Sequence, residues 1–138
     1  MSDQKLAALK ATSIFASCTK KQLELIGKVT DRAGAPVGST IVKEQTVPHQ
    51  MAIIISGKVE VTSNGNVLAQ LGPGDVIGEL AMVDGAKASA TVTVTEEVDL
   101  WMVARSGFIP VWEKNPDMSK ALLEAVVARL RATNELIA

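Results

Sequence analysis

The chain has 138 residues, 47% of them hydrophobic and 21% charged, a length suited to one domain with a substantial core. Fourteen Lys and Arg against fifteen Asp and Glu leave a formal charge of −1. That balance argues against a protein whose main task is to grip nucleic acid or an anionic membrane. The single cysteine, Cys18, rules out an intramolecular disulfide framework and fits a reducing, cytoplasmic compartment. Residues 1–10 carry two lysines and an aspartate but no long apolar run, unlike a secretory signal. No apolar stretch approaches the ~20 residues that span a bilayer.

Leu6, Ala7 and Leu9 predict a first helix that breaks around Thr12 and Ser13. Thr19 with Gln22 three residues later makes a capping box, in which each side chain meets an orphan N–H at the start of a second helix. Leu23 and Ile26 supply that helix with its buried stripe, and Gly27 marks its end. From Val29 onward glycine and proline punctuate short β-rich runs at 40–44, 51–56, 58–63, 67–71, 90–95 and 98–103. This spacing predicts a sandwich or barrel. Asn64-Gly65 is the sharpest local signal, because both residues tolerate the positive φ that a tight hairpin demands. Thr91-Val92-Thr93-Val94-Thr95 alternates as a strand with one buried face does.

After Ala104 the pattern turns helical again. Ser106 is expected to cap a short helix through Phe108 and Trp112, and Asn115-Pro116 to open a longer one with Asn as cap and Pro at the first helical position. Met118, Leu122, Val126, Leu130, Thr133 and Ile137 follow helical spacing down one face. The expected architecture is one mainly β domain with flanking helices. Helices occupy residues 1–28, a double-stranded β-helix or jelly-roll barrel spans 29–104, and C-terminal helices over 105–138 end in a lid.

The chemistry concentrates in Pro73-Gly74-Asp75-Val76-Ile77-Gly78-Glu79-Leu80-Ala81-Met82. Gly78 lets the backbone approach a ligand closely. Residues 79–83 fit one short helix, whose unsatisfied N–H groups favour a phosphate. This run resembles the phosphate-binding cassette of the cyclic nucleotide-binding domain family, which includes catabolite-activator-type regulators and the regulatory subunits of cyclic-nucleotide-dependent kinases. The resemblance covers essentially the whole chain. Gly38, the run Gly57-Lys58-Val59-Glu60-Val61, the cassette, Ala90-Thr91-Val92 and Arg129-Leu130 fall in family order.

The resemblance implies a cyclic nucleotide held at Gly78, Glu79, Leu80 and Ala81, with Glu79 accepting a hydrogen bond from the ribose 2′-hydroxyl. The family presents an arginine to the cyclic phosphate two residues before the alanine matching Ala90, and here that position is Ala88. Lys87 is the neighbouring point charge and Ser89 the neighbouring hydroxyl that stand in. Thr133 and Asn134 fall where the bacterial members carry a pair that touches the purine. A second departure is Gln45, where the family has glycine after the acidic residue matching Glu44.

Absences narrow the function. His49 is the only histidine, too few for a cupin-type metal centre, and it reads as a loop residue. Cys18 lacks a general base and reads as a small buried residue. No serine triad or Walker-type loop is present, so no enzyme is expected. The chain stops at Ala138 without the helix-turn-helix of the DNA-binding members, as a stand-alone sensor or a fragment would.

The expected function is a regulatory sensor that binds a cyclic nucleotide, cAMP ahead of cGMP, with no cofactor, nucleic acid or membrane. A homodimer through the C-terminal helix and an effector protein acting in trans are its expected partners. The alternatives are a fold that has lost its nucleotide and serves as a dimerisation or docking scaffold, and a site for a different anion on the same helix.

Overall fold

The computed structural model describes residues 3–137, with the side chains of 129 and 132–137 outside the description. In chain order it places α1 (Asp3–Ala11), a 3₁₀ turn (Ser13–Phe15), α2 (Lys20–Lys28), β1 (Thr30–Ala35), β2 (Thr40–Val42), β3 (Gln50–Ser63) and β4 (Asn66–Leu71). These are followed by β5 (Val76–Ile77), α3 (Glu79–Asp84), β6 (Thr91–Ala104), α4 (Arg105–Lys114) and α5 (Met118–Ile137).

The capping box at α2 forms as expected. Gln22 N–H donates to Thr19 Oγ1 at 3.2 Å, and Thr19 N–H donates to Gln22 Oε1 at 2.9 Å. The hairpin at Asn64-Gly65 also forms, with φ of 52° and 81°, and joins β3 to β4.

The strands are all antiparallel, in the order β1-β6-β3-β4, with β2 on β6 and β5 on β3. The class is the mainly β fold with flanking helices that the sequence predicts. Among the described residues β1 and β4 do not pair with each other, so the roll is open rather than a closed barrel.

Runs expected as separate strands are continuous. Residues 51–56 and 58–63 form the single strand β3, whose register against β6 shifts around Ser56 and Lys58. Residues 90–95 and 98–103 likewise join in β6. Glycine inside a strand pattern marks a bulge here, and not a break.

Two apolar clusters flank the sheet. Met51 and Ile53 of β3, with Trp101 and Val103 of β6, face the helices, where they meet Leu9, Ile14, Phe15, Phe108 and Leu122. Ala52 and Ile54, with Leu100, face the inside of the roll, where they meet Val59, Ile77, Val92 and Val94. Burial on both faces explains why residues 51–55 read as an unbroken apolar run.

Cys18 is buried, and that burial pushes its thiol pKa up. On the outer face Arg32 forks onto Asp99 and lies over the Trp101 ring at 5.6 Å. Lys5 approaches the same ring and donates to the Thr30 carbonyl at 2.8 Å, which ties α1 to the roll. The Arg32–Asp99 pair is exposed and adds little to stability.

Two expected caps are corrected. Helix α4 starts at Arg105 with Ala104 at its cap, so Ser106 lies inside the helix. The Arg105 N–H already donates to the His49 carbonyl at 2.9 Å, which satisfies that donor without a side-chain cap. Asn115 does not open α5. Its Nδ2 turns back to the Val111 carbonyl at 2.7 Å, and α5 begins at Met118 after a turn at Pro116 and Asp117.

The expected apolar face of α5 also divides. Met118 and Leu122 are buried, whereas Leu130 is exposed together with Leu123 and Val127.

Candidate functional site

The site starts from β5. Its two residues pair with β3, Ala52 opposite Ile77 and Ile53 opposite Val76, and so hold the next residue close to that strand. The next residue is Gly78, with φ of 75°. A Cβ there would lie 3.3 Å from the Gln50 carbonyl oxygen, so both the turn and the crowding call for glycine. Helix α3 leaves directly from this turn with Glu79 as its first residue.

Gly78, Glu79, Leu80, Ala81, Lys87, Ala88 and Ser89 all line one cleft of about 290 Å³. Its apolar wall includes Val42, Val61, Leu71, Val76 and Val92. Thr133 and Asn134 belong to α5, and their side chains lie outside the described residues. No described residue of α5 lines the cleft, since that helix packs on the 3₁₀ turn.

The loop carrying Lys87 to Ser89 is anchored through its backbone. Gln45 N–H donates to the Ala88 carbonyl at 2.9 Å, and Ala88 N–H donates to the Thr46 carbonyl at 2.8 Å. Ser63 Oγ donates to the Ser89 carbonyl at 3.1 Å. The charged side chains lining the cleft are Glu79, Asp84 and Lys87. The wall therefore draws on two acidic residues and one basic residue. Among the described residues no group of three or more His, Cys, Asp or Glu could hold a metal ion.

Residues 35–115 match the family model described as the cyclic nucleotide-binding domain. The chain belongs to the cyclic nucleotide-binding domain family. It is 30% identical over 85% of its length to the Pycsar effector protein XpPycTIR of Xanthomonas perforans, of which it spans 38%. It is 28% identical over 94% of its length to the CRP-like cAMP-activated global transcriptional regulator of Mycobacterium tuberculosis, of which it spans 60%. Among solved structures it is similar to the N-terminal domain of a transcriptional regulator from Streptomyces coelicolor, with a TM-score of 0.77 and 29% identity over 94% of this chain and 93% of that one. It is also similar to the regulatory domain of Toxoplasma gondii PKA with cAMP, with a TM-score of 0.74 and 26% identity over 79% and 43% of the two chains.

Against this cyclic nucleotide-binding domain, the two sequence departures have visible local settings. Ala88 lines the cleft and brings no charge to it. Gln45 adopts φ of 70°, a left-handed conformation that a side chain disfavours. Gln45→Gly is expected to stabilise the protein by about 0.5–1 kcal/mol, the released strain being partly offset by the greater freedom of glycine in the unfolded chain. A thermal melt checks this, and an unchanged or lower Tm would show that the side chain earns its place in the loop.

Sequence reasoning missed Asp84 in the wall of the cleft and two residues that hold helix α3, Ser13 and Arg105. Ser13 Oγ donates to Glu79 Oε2 at 3.1 Å, and Arg105 Nε donates to the Met82 carbonyl at 3.3 Å near the end of α3. Asp84 is adjacent to the recognised motif and was open to notice as a third charge beside it. The other two come from distant elements, and no local pattern signals them.

Proposed function

We propose that this cyclic nucleotide-binding domain is a regulatory sensor whose ligand is a cyclic purine nucleotide, cAMP ahead of cGMP, and that it carries out no chemistry of its own. The observation that carries this is the gathering of the turn Gly78, helix α3 and residues 87–89 around one cleft. Glu79 accepts the ribose hydroxyl, and Lys87 and Ser89 take the phosphate in place of an arginine at Ala88. The mycobacterial relative named as cAMP-activated and the Toxoplasma domain solved with cAMP support the choice of ligand. Closure of α5, with Thr133 and Asn134 at the purine edge, is the proposed response. The ligand drives it by binding the closed state more tightly than the open one. The module works in the cytoplasm on an effector, either in trans or attached as in the longer relatives.

The test is a thermal melt with cAMP, cGMP, AMP and no ligand. At a hundred times its Kd a ligand adds about 2.7 kcal/mol, a rise of roughly 6–15 °C for a chain this long. Lys87→Ala should weaken cAMP binding about three- to tenfold if the ammonium faces the phosphate. A rise with AMP equal to that with cAMP would remove the cyclic-nucleotide assignment.

A second reading, a dimerisation or docking scaffold without nucleotide, is favoured by the missing arginine and by the exposed Leu123, Val127 and Leu130 on α5. No shift at millimolar nucleotide, with a dimer in sedimentation, would select it.

A further inference from the structure

The hydroxyl of Ser13 meets the carboxylate of Glu79 across 66 positions of sequence. Ser13 is itself exposed, but Thr12, Ile14 and Phe15 around it are all buried. Thr12 Oγ1 donates to the Ala8 carbonyl at 3.0 Å, and the Phe15 N–H donates to the Thr12 carbonyl at 2.9 Å. The Phe15 ring meets Phe108 edge-on with centroids 5.5 Å apart. The hydroxyl is therefore offered from a backbone pinned on both sides. Glu79 is a long acidic side chain at the start of a six-residue helix, half-buried in the wall of the cleft.

We infer that Ser13 is a positioning residue for Glu79, holding one carboxylate oxygen so that the group is aimed at a ligand's sugar hydroxyl before the ligand arrives. This rests on the nucleotide-binding function proposed above. A hydrogen bond from a hydroxyl to an ionised carboxylate is charge-assisted. A carboxylate has about four acceptor positions, so the bond to Ser13 is compatible with another from the ligand. Fixing the side chain in advance removes an ordering cost from binding. The benefit goes only to a ligand that carries the hydroxyl, which makes Ser13 a determinant of ribose over deoxyribose.

The experiment measures cAMP and 2′-deoxy-cAMP affinities by calorimetry for the wild type, Ser13→Ala, Ser13→Thr and Glu79→Gln. Ser13→Ala should lose about fivefold in cAMP affinity and stay within about twofold for the deoxy analogue, so that the preference for ribose shrinks. Ser13→Thr, which keeps the hydroxyl, should remain near the wild type for both. In a Glu79→Gln background, Ser13→Ala should change the ribose preference little further.

Equal losses for both ligands, or none for either, in a protein that binds cAMP would overturn the role of Ser13 and leave the proposed function standing. A wild type that binds neither probe would overturn both. Melts of each variant report folding separately, and Ser13→Gly, which also removes the hydroxyl, carries the comparison if the alanine variant is unstable.

Discussion

Replacing Gly57 by alanine is expected to destabilise the protein by about 3–5 kcal/mol, and so to lower Tm by roughly 10–20 °C. Gly57 lies where β3 slips register against β6, at φ of 91°. A Cβ there would sit 2.1 Å from the Glu97 carbonyl oxygen and 2.8 Å from that of Glu96. These are backbone atoms, held on either side by the β3–β6 ladder, and they cannot swing away as a flexible side chain would. Gly74→Ala separates the two contributions. Its φ is 88° but nothing lies within 4 Å of the added carbon, so only the left-handed conformation costs, about 1–2 kcal/mol. Chemical or thermal denaturation of both variants decides the matter. Equal losses at the two sites would mean that the strands part easily at the bulge and that the clash relaxes.

Ala88→Arg is expected to raise cAMP affinity about ten- to hundredfold, the value of a charge-assisted hydrogen bond to the phosphate. The position lines the cleft, and its backbone is bonded on both sides to Gln45 and Thr46, so the new side chain starts from a fixed point. The guanidinium would also balance the two carboxylates of the wall. Ala88→Lys should gain less, because an ammonium is a point charge without the planar fork that meets two phosphate oxygens. Calorimetric titration of the three proteins with cAMP measures the series. An unchanged affinity for the arginine variant would show that position 88 does not face the phosphate.

Much of the local structure was legible because its causes are local. Thr19 and Gln22 lie within one turn of each other, and Asn64 and Gly65 within one hairpin, so the bonding that forms those features is written in neighbouring residues. The turn at Gly78 and the helix after it belong to the same class, and the helix extends to Asp84, one residue beyond expectation. The errors arose where a distant group supplied what a local one was expected to supply. Ser106 does not cap α4 because the helix starts ahead of it at Arg105, whose N–H the distant His49 carbonyl accepts. Gly57 looked like a strand end, but its pairing across to β6 made it a bulge within one long strand.

By itself, the sequence determined the order of helix, β-roll and helix, and pointed to the segment from Gly78 to Ser89, residues of which line the cleft. The order follows from capping, turn chemistry and apolar period, each set by residues a few positions apart, and the segment from its resemblance to the family's phosphate-binding cassette. Only the tertiary structure decided that the roll stays open, that α5 packs on the 3₁₀ turn, and that Ser13 reaches Glu79. The reason is physical. Which surfaces meet depends on the packing of two apolar clusters against opposite faces of β3 and β6, and that packing joins residues far apart in the chain.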